Sequence, residues 1–106
     1  MDRTPMPTPL AAALALAQTS GRSREIFRDG DLEIRFAAKL PDGPHAPHPR
    51  DEVYIVAAGT GHYRFEDRVM PVGAGDLLFA AAHVPHGFEN MSIDFCAWVI
   101  FYGPQK

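Results

Sequence analysis

The chain has 106 residues, of which 46% are hydrophobic and 22% charged, with a formal net charge of −3. That length and balance describe one soluble globular domain, and with no Lys/Arg cluster nothing points to a nucleic-acid or anionic-membrane surface. The single cysteine, Cys96, excludes an internal disulfide and any CxxC-type zinc cluster, and it suits a reducing, cytoplasmic setting as an inert core thiol.

Residues 10–17 (LAAALALA) read as a short helix, with Thr8 as its cap and Pro9 at its first helical position. Leu10 and Leu14, four apart, are expected to pack it on the rest of the fold. The alternative is a signal-peptide core, but Pro5, Pro7, Pro9 and Asp2 make a poor leader, and eight residues cannot span a bilayer.

Short apolar runs between turns follow. A strand over 25–28 meets the hairpin signal Asp29-Gly30, and 32–36 (LEIRF) alternates apolar and charged like a half-exposed strand. Residues 40–49 form a proline-rich loop carrying His45 and His48. Residues 53–58 are nearly all apolar, as in a strand buried on both faces. Strands are expected over 62–65, 68–72, 77–81 and 87–90, with 83–86 a loop and 93–102 the longest apolar strand. About eight strands joined by turns every eight to twelve residues mean a sandwich or barrel. The long last strand is bulky on both faces, so one face needs a cover, either the N-terminal segment or a second subunit in a symmetric homodimer.

Four of the five histidines fall in two segments, 45–52 (HAPHPRDE) and 83–90 (HVPHGFEN). Imidazoles and a carboxylate at strand mouths are the nitrogen and oxygen donors that divalent transition metals favour. His45, His48, Glu52, His83 and His86 are therefore the candidate ligands of a metal site. Tyr54, Arg64, Phe79, Phe88 and Trp98 are candidates to line the pocket around it. The bland reading makes Glu52 a partner of Arg50 or Arg64, His86 a satisfied barrel histidine, His62 an exposed one and the aromatics core.

Spacing in these segments resembles that of a known family. Glu52-x6-Gly59 preceded by His48-x3 is similar to the first motif of the cupin superfamily, G-x5-H-x-H-x3,4-E-x6-G. Gly75-x5-Ala81-x-His83-x2-His86-x3-Asn90 is similar to the second, G-x5-P-x-G-x2-H-x3-N, with Ala81 and His83 in place of its proline and glycine. The resemblance covers roughly 25–104. It implies an all-β, cupin-type antiparallel β-barrel (double-stranded β-helix, or jelly roll), with residues 1–24 an N-terminal extension carrying the helix. It also implies one divalent metal ion (Fe, Mn, Ni or Zn) at the open end, held by the two-histidine, one-carboxylate set His48, Glu52 and His86, with His45 and His83 as candidates for a fourth ligand. The family's first motif histidine corresponds to position 46, which is Ala. A small-molecule ligand or substrate is the expected partner, turned over as in a dioxygenase or isomerase, or simply bound, as a sugar or similar ligand is.

Overall fold

Nine strands and one helix account for the regular structure of the computed structural model, which describes residues 7–20, 23–38, 40–45 and 47–106. The helix α1 (Leu10–Ser20) precedes β1 (Ser23–Asp29) and β2 (Leu32–Ala37). A short β3 (Gly43–His45) follows, then β4 (Asp51–Ala58), β5 (Thr60–Phe65) and β6 (Arg68–Gly73). The chain ends through β7 (Leu77–Ala80), β8 (His86–Glu89) and β9 (Cys96–Tyr102). All strand pairs are antiparallel, in a five-stranded sheet of order β1-β2-β9-β4-β7 and a four-stranded sheet of order β3-β8-β5-β6. The inner faces of the two sheets enclose a core of Tyr54, Val56, Tyr63, Phe88, Phe95 and Val99. This is the expected all-β barrel.

Three expectations about elements change. Residues 43–45, read as loop, pair with β8, and His86 is the first residue of a strand rather than the end of a loop. The last strand begins at Cys96, because residues 90–95 turn across the barrel end and leave Ile93 fully exposed. That end is tied by Thr60 N–H to Ser92 Oγ (2.9 Å) and Ser92 N–H to the Thr60 carbonyl (2.8 Å). The helix starts at Leu10, with the Pro9 carbonyl accepting from Ala12 and Ala13, and it seats on the sheet through Ala13 and Ala17. Leu14 packs beside them, whereas Leu10 stays exposed, since small residues four apart let the helix lie close to Phe36 and Cys96.

Register decides which side chains face inward. On the five-stranded sheet the inner rows run Glu33–Phe101–Glu52–Ala80 and Arg35–Val99–Tyr54–Leu78. The outer rows run Ile34–Ile100–Val53–Phe79 and Phe36–Trp98–Ile55–Leu77. The alternation of β2 is therefore inverted from its usual meaning. Its apolar side faces outward, where α1 covers Phe36, and its charged side faces the barrel mouth.

Candidate metal centre

The two sheets converge at the end of the barrel where β4 and β8 begin. Glu52, second in β4, and His86, first in β8, belong to opposite sheets and meet across the interior with Oε1 3.0 Å from Nε2. Each is 2% exposed. His48 sits in the segment just before β4, and its Nε2 lies 3.8 Å from the same carboxylate oxygen. One donor atom from each of the three residues falls within 4.8 Å of the others.

Backbone contacts hold these side chains in place. His83 N–H donates to the His48 carbonyl at 2.6 Å, fastening the loop that carries His48. Asp51, next to Glu52, accepts from Ala82 N–H at 2.9 Å and pairs with Lys106, binding the start of β4 to the turn before β8. The His48 ring packs edge-on against Phe101, with centroids 5.6 Å apart. His86 Nδ1 lies 2.9 Å from the Val84 carbonyl, which can only accept, so Nδ1 carries the proton. In neutral His86 this leaves the Nε2 lone pair directed at Glu52 and His48, the orientation that a metal-bound imidazole needs. Ligand atoms about 2.1 Å from one ion lie about 3.0–4.2 Å apart in tetrahedral or octahedral geometry. The two separations from Glu52 Oε1, 3.0 and 3.8 Å, fall in that interval and all three donors lie within 4.8 Å, so the donor set can close on a divalent ion with a small shift of the half-exposed His48 ring.

Two phenols complete the interior of the site. The Tyr54 hydroxyl is 3.0 Å from His86 Nε2, and its ring meets Phe88 edge-on at 5.0 Å. Burial, followed by the Glu52 charge, pushes the Tyr54 pKa well up, so it is a neutral donor. Tyr63 is also buried, its ring centroid 6.4 Å from that of His86, and among the described residues its hydroxyl has no hydrogen-bond partner. Burial and then the Glu52 charge push its pKa up to about 12. For His86, burial works against the imidazolium. Hydrogen bonds to Glu52 and the Val84 carbonyl, with the carboxylate's charge, outweigh it, and the pKa is raised.

Of the other residues singled out from the sequence, Tyr54 and Phe88 lie inside the barrel next to the site. Arg64, Phe79 and Trp98 do not, because strand parity turns them outward. Arg64 pairs with Glu89 on the outside of the four-stranded sheet, at 3.0 Å. Phe79 shares the outer row of Val53 and is 49% exposed. Trp98 stacks edge-on to Phe36 beneath the helix, with centroids 4.8 Å apart. His62 is half-buried beside Glu89 rather than exposed. His83 is exposed, its Nε2 2.5 Å from the Lys106 carbonyl, and it lies outside the donor cluster. Its φ of 68° matches the place where the family motif carries glycine. The backbone of His45 pairs opposite His86, while the His45 side chain and Ala46 lie outside the described residues.

A small cavity of about 180 Å³ opens onto His48, Glu52 and Tyr54, walled by Leu40, Val99 and Phe101, with Arg35 and Ser23 at its rim. Sequence reasoning missed Tyr63, Phe101 and Arg35. The available signal was two-residue alternation from Glu52, and that needs the cross-strand register to extend it to other strands.

Residues 33–102 match the family model described as a cupin domain. An uncharacterized protein of Streptomyces coelicolor is 27% identical over 93 residues, covering 85% of this chain and 88% of its own. Among solved structures, protein NMB1881 from Neisseria meningitidis superposes with a TM-score of 0.73 at 20% identity, covering 92% of this chain and 100% of that one. The DMSP lyase DddQ from Ruegeria pomeroyi superposes with a TM-score of 0.64 at 23% identity over 76% of this chain, which spans only 46% of that lyase. With two inward-facing strands carrying the motif residues and a family match over most of the barrel, the chain belongs to the cupin domain family.

Proposed function

We propose that this cupin holds one divalent metal ion (Fe, Mn, Ni or Zn) with His48, Glu52 and His86 and uses it on a small molecule that enters the barrel mouth. The observation that carries this reading is the convergence within 4.8 Å of three donor atoms, two of them buried on opposite sheets (Glu52 and His86) and one, from His48, half-buried at the mouth. A metal bound there would supply Lewis acidity and, if iron, redox chemistry of the dioxygenase kind. The chain's own contribution is positional. Val84 fixes the His86 tautomer, Tyr54 presents a neutral hydroxyl donor, and Phe88 and Phe101 exclude water around the ligands. Position 45 is the proposed source of a fourth ligand, supported by its backbone pairing opposite His86. The apolar outer rows ending in Leu77 and Phe79 support a homodimer, and the lone buried Cys96 fits a reducing cytoplasm.

Replacing the ion with Co(II) tests the ligand set by its visible d–d spectrum. The wild type should give a saturable signal at one equivalent, and Glu52→Ala and His86→Ala should each lose it. An unchanged spectrum in both variants would reject the set. If Co(II) does not bind while a small ligand still does, the reading passes to a metal-free binding barrel.

A further inference from the structure

Three arginines gather around one carboxylate, that of Glu33. Glu33 Oε1 accepts from Arg28 Nη2 at 3.1 Å and Arg50 Nη1 at 3.2 Å, and Oε2 accepts from Arg35 Nη1 at 3.0 Å. Among the described residues, Arg28 alone of the three has a further carboxylate, Glu25 at 2.8 Å. The three guanidiniums are balanced by Glu33, Glu25 and the Glu52 of the site's cavity, so any attraction for an anion is local to a guanidinium that faces the cavity.

Arg35 is the member that lines the cavity. Its Nε donates to Ser23 Oγ at 3.2 Å and its Nη1 to Glu33, and among the described residues its Nη2 has no partner. It shares the inner row Arg35–Val99–Tyr54, two strand spacings from the residues of β4. Two spacings are about 9–10 Å. Val99, Phe101 and Leu40 line the way between them, so the intervening wall is apolar. A volume of about 180 Å³ has room for about six water-sized groups, at roughly 30 Å³ each.

We propose that Arg35 is the anion anchor of this pocket: the cupin takes a short-chain carboxylate whose head group sits on Arg35 and whose carbon chain lies over Val99 and Phe101, bringing its far end to His48 and Glu52. This names the ligand class for the metal site proposed above and rests on that reading. Guanidinium suits the task because it remains charged and offers two parallel donors to a carboxylate. The guanidinium is tethered in advance by Ser23 and Glu33, which lowers the ordering cost of binding.

The test is calorimetric titration of butanoate, with butanamide as its neutral counterpart, into metal-reconstituted wild type, Arg35→Gln, Arg35→Lys and Arg24→Gln. Metal content and the thermal melt of each protein are measured in parallel. Butanoate should bind one-to-one to wild type and to Arg24→Gln, an exposed β1 position outside the cluster. Butanamide, and butanoate with Arg35→Gln, should bind about tenfold or more weakly, the effect of one lost charge-assisted hydrogen bond. Arg35→Lys should fall between, which separates loss of the anchor from loss of the fold. Equal butanoate affinity in wild type and Arg35→Gln, or no saturable binding to wild type, overturns the anchor. Wild type that holds no metal but binds butanoate in an Arg35-dependent way refutes the metal reading and leaves the anchor standing.

Discussion

The buried Glu52–His86 contact gives the metal-free protein a stability that should grow as pH falls through the neutral range. His86 is 2% exposed, and its pKa is raised because the hydrogen bonds to Glu52 and Val84 and the Glu52 charge exceed the opposing cost of burial. A group with a raised folded-state pKa contributes stability that is fully present below its unfolded value, about 6.5 for histidine, and lost as pH rises through the folded value. A hydrogen bond to a charged partner is worth about 1.5–3 kcal/mol, and desolvation removes part of it, which leaves about 1–2 kcal/mol. At about 4–8 °C per kcal/mol for a domain near this size, Tm should rise by several degrees between pH 8 and pH 6. The assay is a thermal melt of chelator-treated protein across that interval, beside Glu52→Gln. The amide keeps the shape and a hydrogen bond but removes the charge, so its curve should lack the rise and isolate His86 from the other four histidines. Parallel curves for the two proteins would refute the reasoning. Metal reverses the sign, because it binds only deprotonated imidazole, so its stabilisation should increase with pH.

Gly59 has φ of 82°, and a Cβ there would stand 2.6 Å from Phe95 Cα and 2.7 Å from Phe95 N, so Gly59→Ala should cost about 2 kcal/mol or more by urea melt. Gly75 has φ of 92° but open space, so Gly75→Ala should cost less, from backbone strain alone. The Arg64 hydrogen bond holds the Glu89 carboxyl below the usual carboxylate range, so its stabilisation is present above the unfolded glutamate value and lost as pH falls through the folded one. Arg64→Gln should therefore flatten a small part of the acid limb of the stability curve and leave metal content unchanged. If the outer apolar rows join two copies, Leu77→Asp combined with Phe79→Asp should convert a dimer to a monomer by light scattering, with the fold intact. A dimer that survives the double change would place the interface elsewhere.

The barrel, the places of most of its strands along the chain and the His48–Glu52–His86 grouping of the motif resemblance were legible in the sequence because they depend on local spacing. Turn residues recur at strand-length intervals, and His86 stands at a fixed distance from Gly75. Even the odd residue of the second motif was informative, since His83 occupies the left-handed conformation where the family has glycine. What could not be read was parity across strands. Residues 96–102 are bulky on both sides, so nothing in them says that Val99 and Phe101 face the barrel interior while Trp98 and Ile100 face out. Arg35 was hidden by the opposite problem. Its strand alternates cleanly, but the helix supplies an apolar outside, so the charged residues face the mouth instead of bulk solvent. Both cases turn on contacts between segments far apart in the chain, where pattern within one segment carries no information.

Elemental analysis of the protein, purified without a histidine tag and set beside His86→Ala, addresses the central claim most directly. The account predicts about one equivalent of a single divalent transition metal in the wild type and its loss in the variant, with both proteins folded. Wild type that remains metal-free after anaerobic reconstitution with Fe(II), Mn(II), Ni(II) and Zn(II), or His86→Ala that retains a full equivalent, would contradict it.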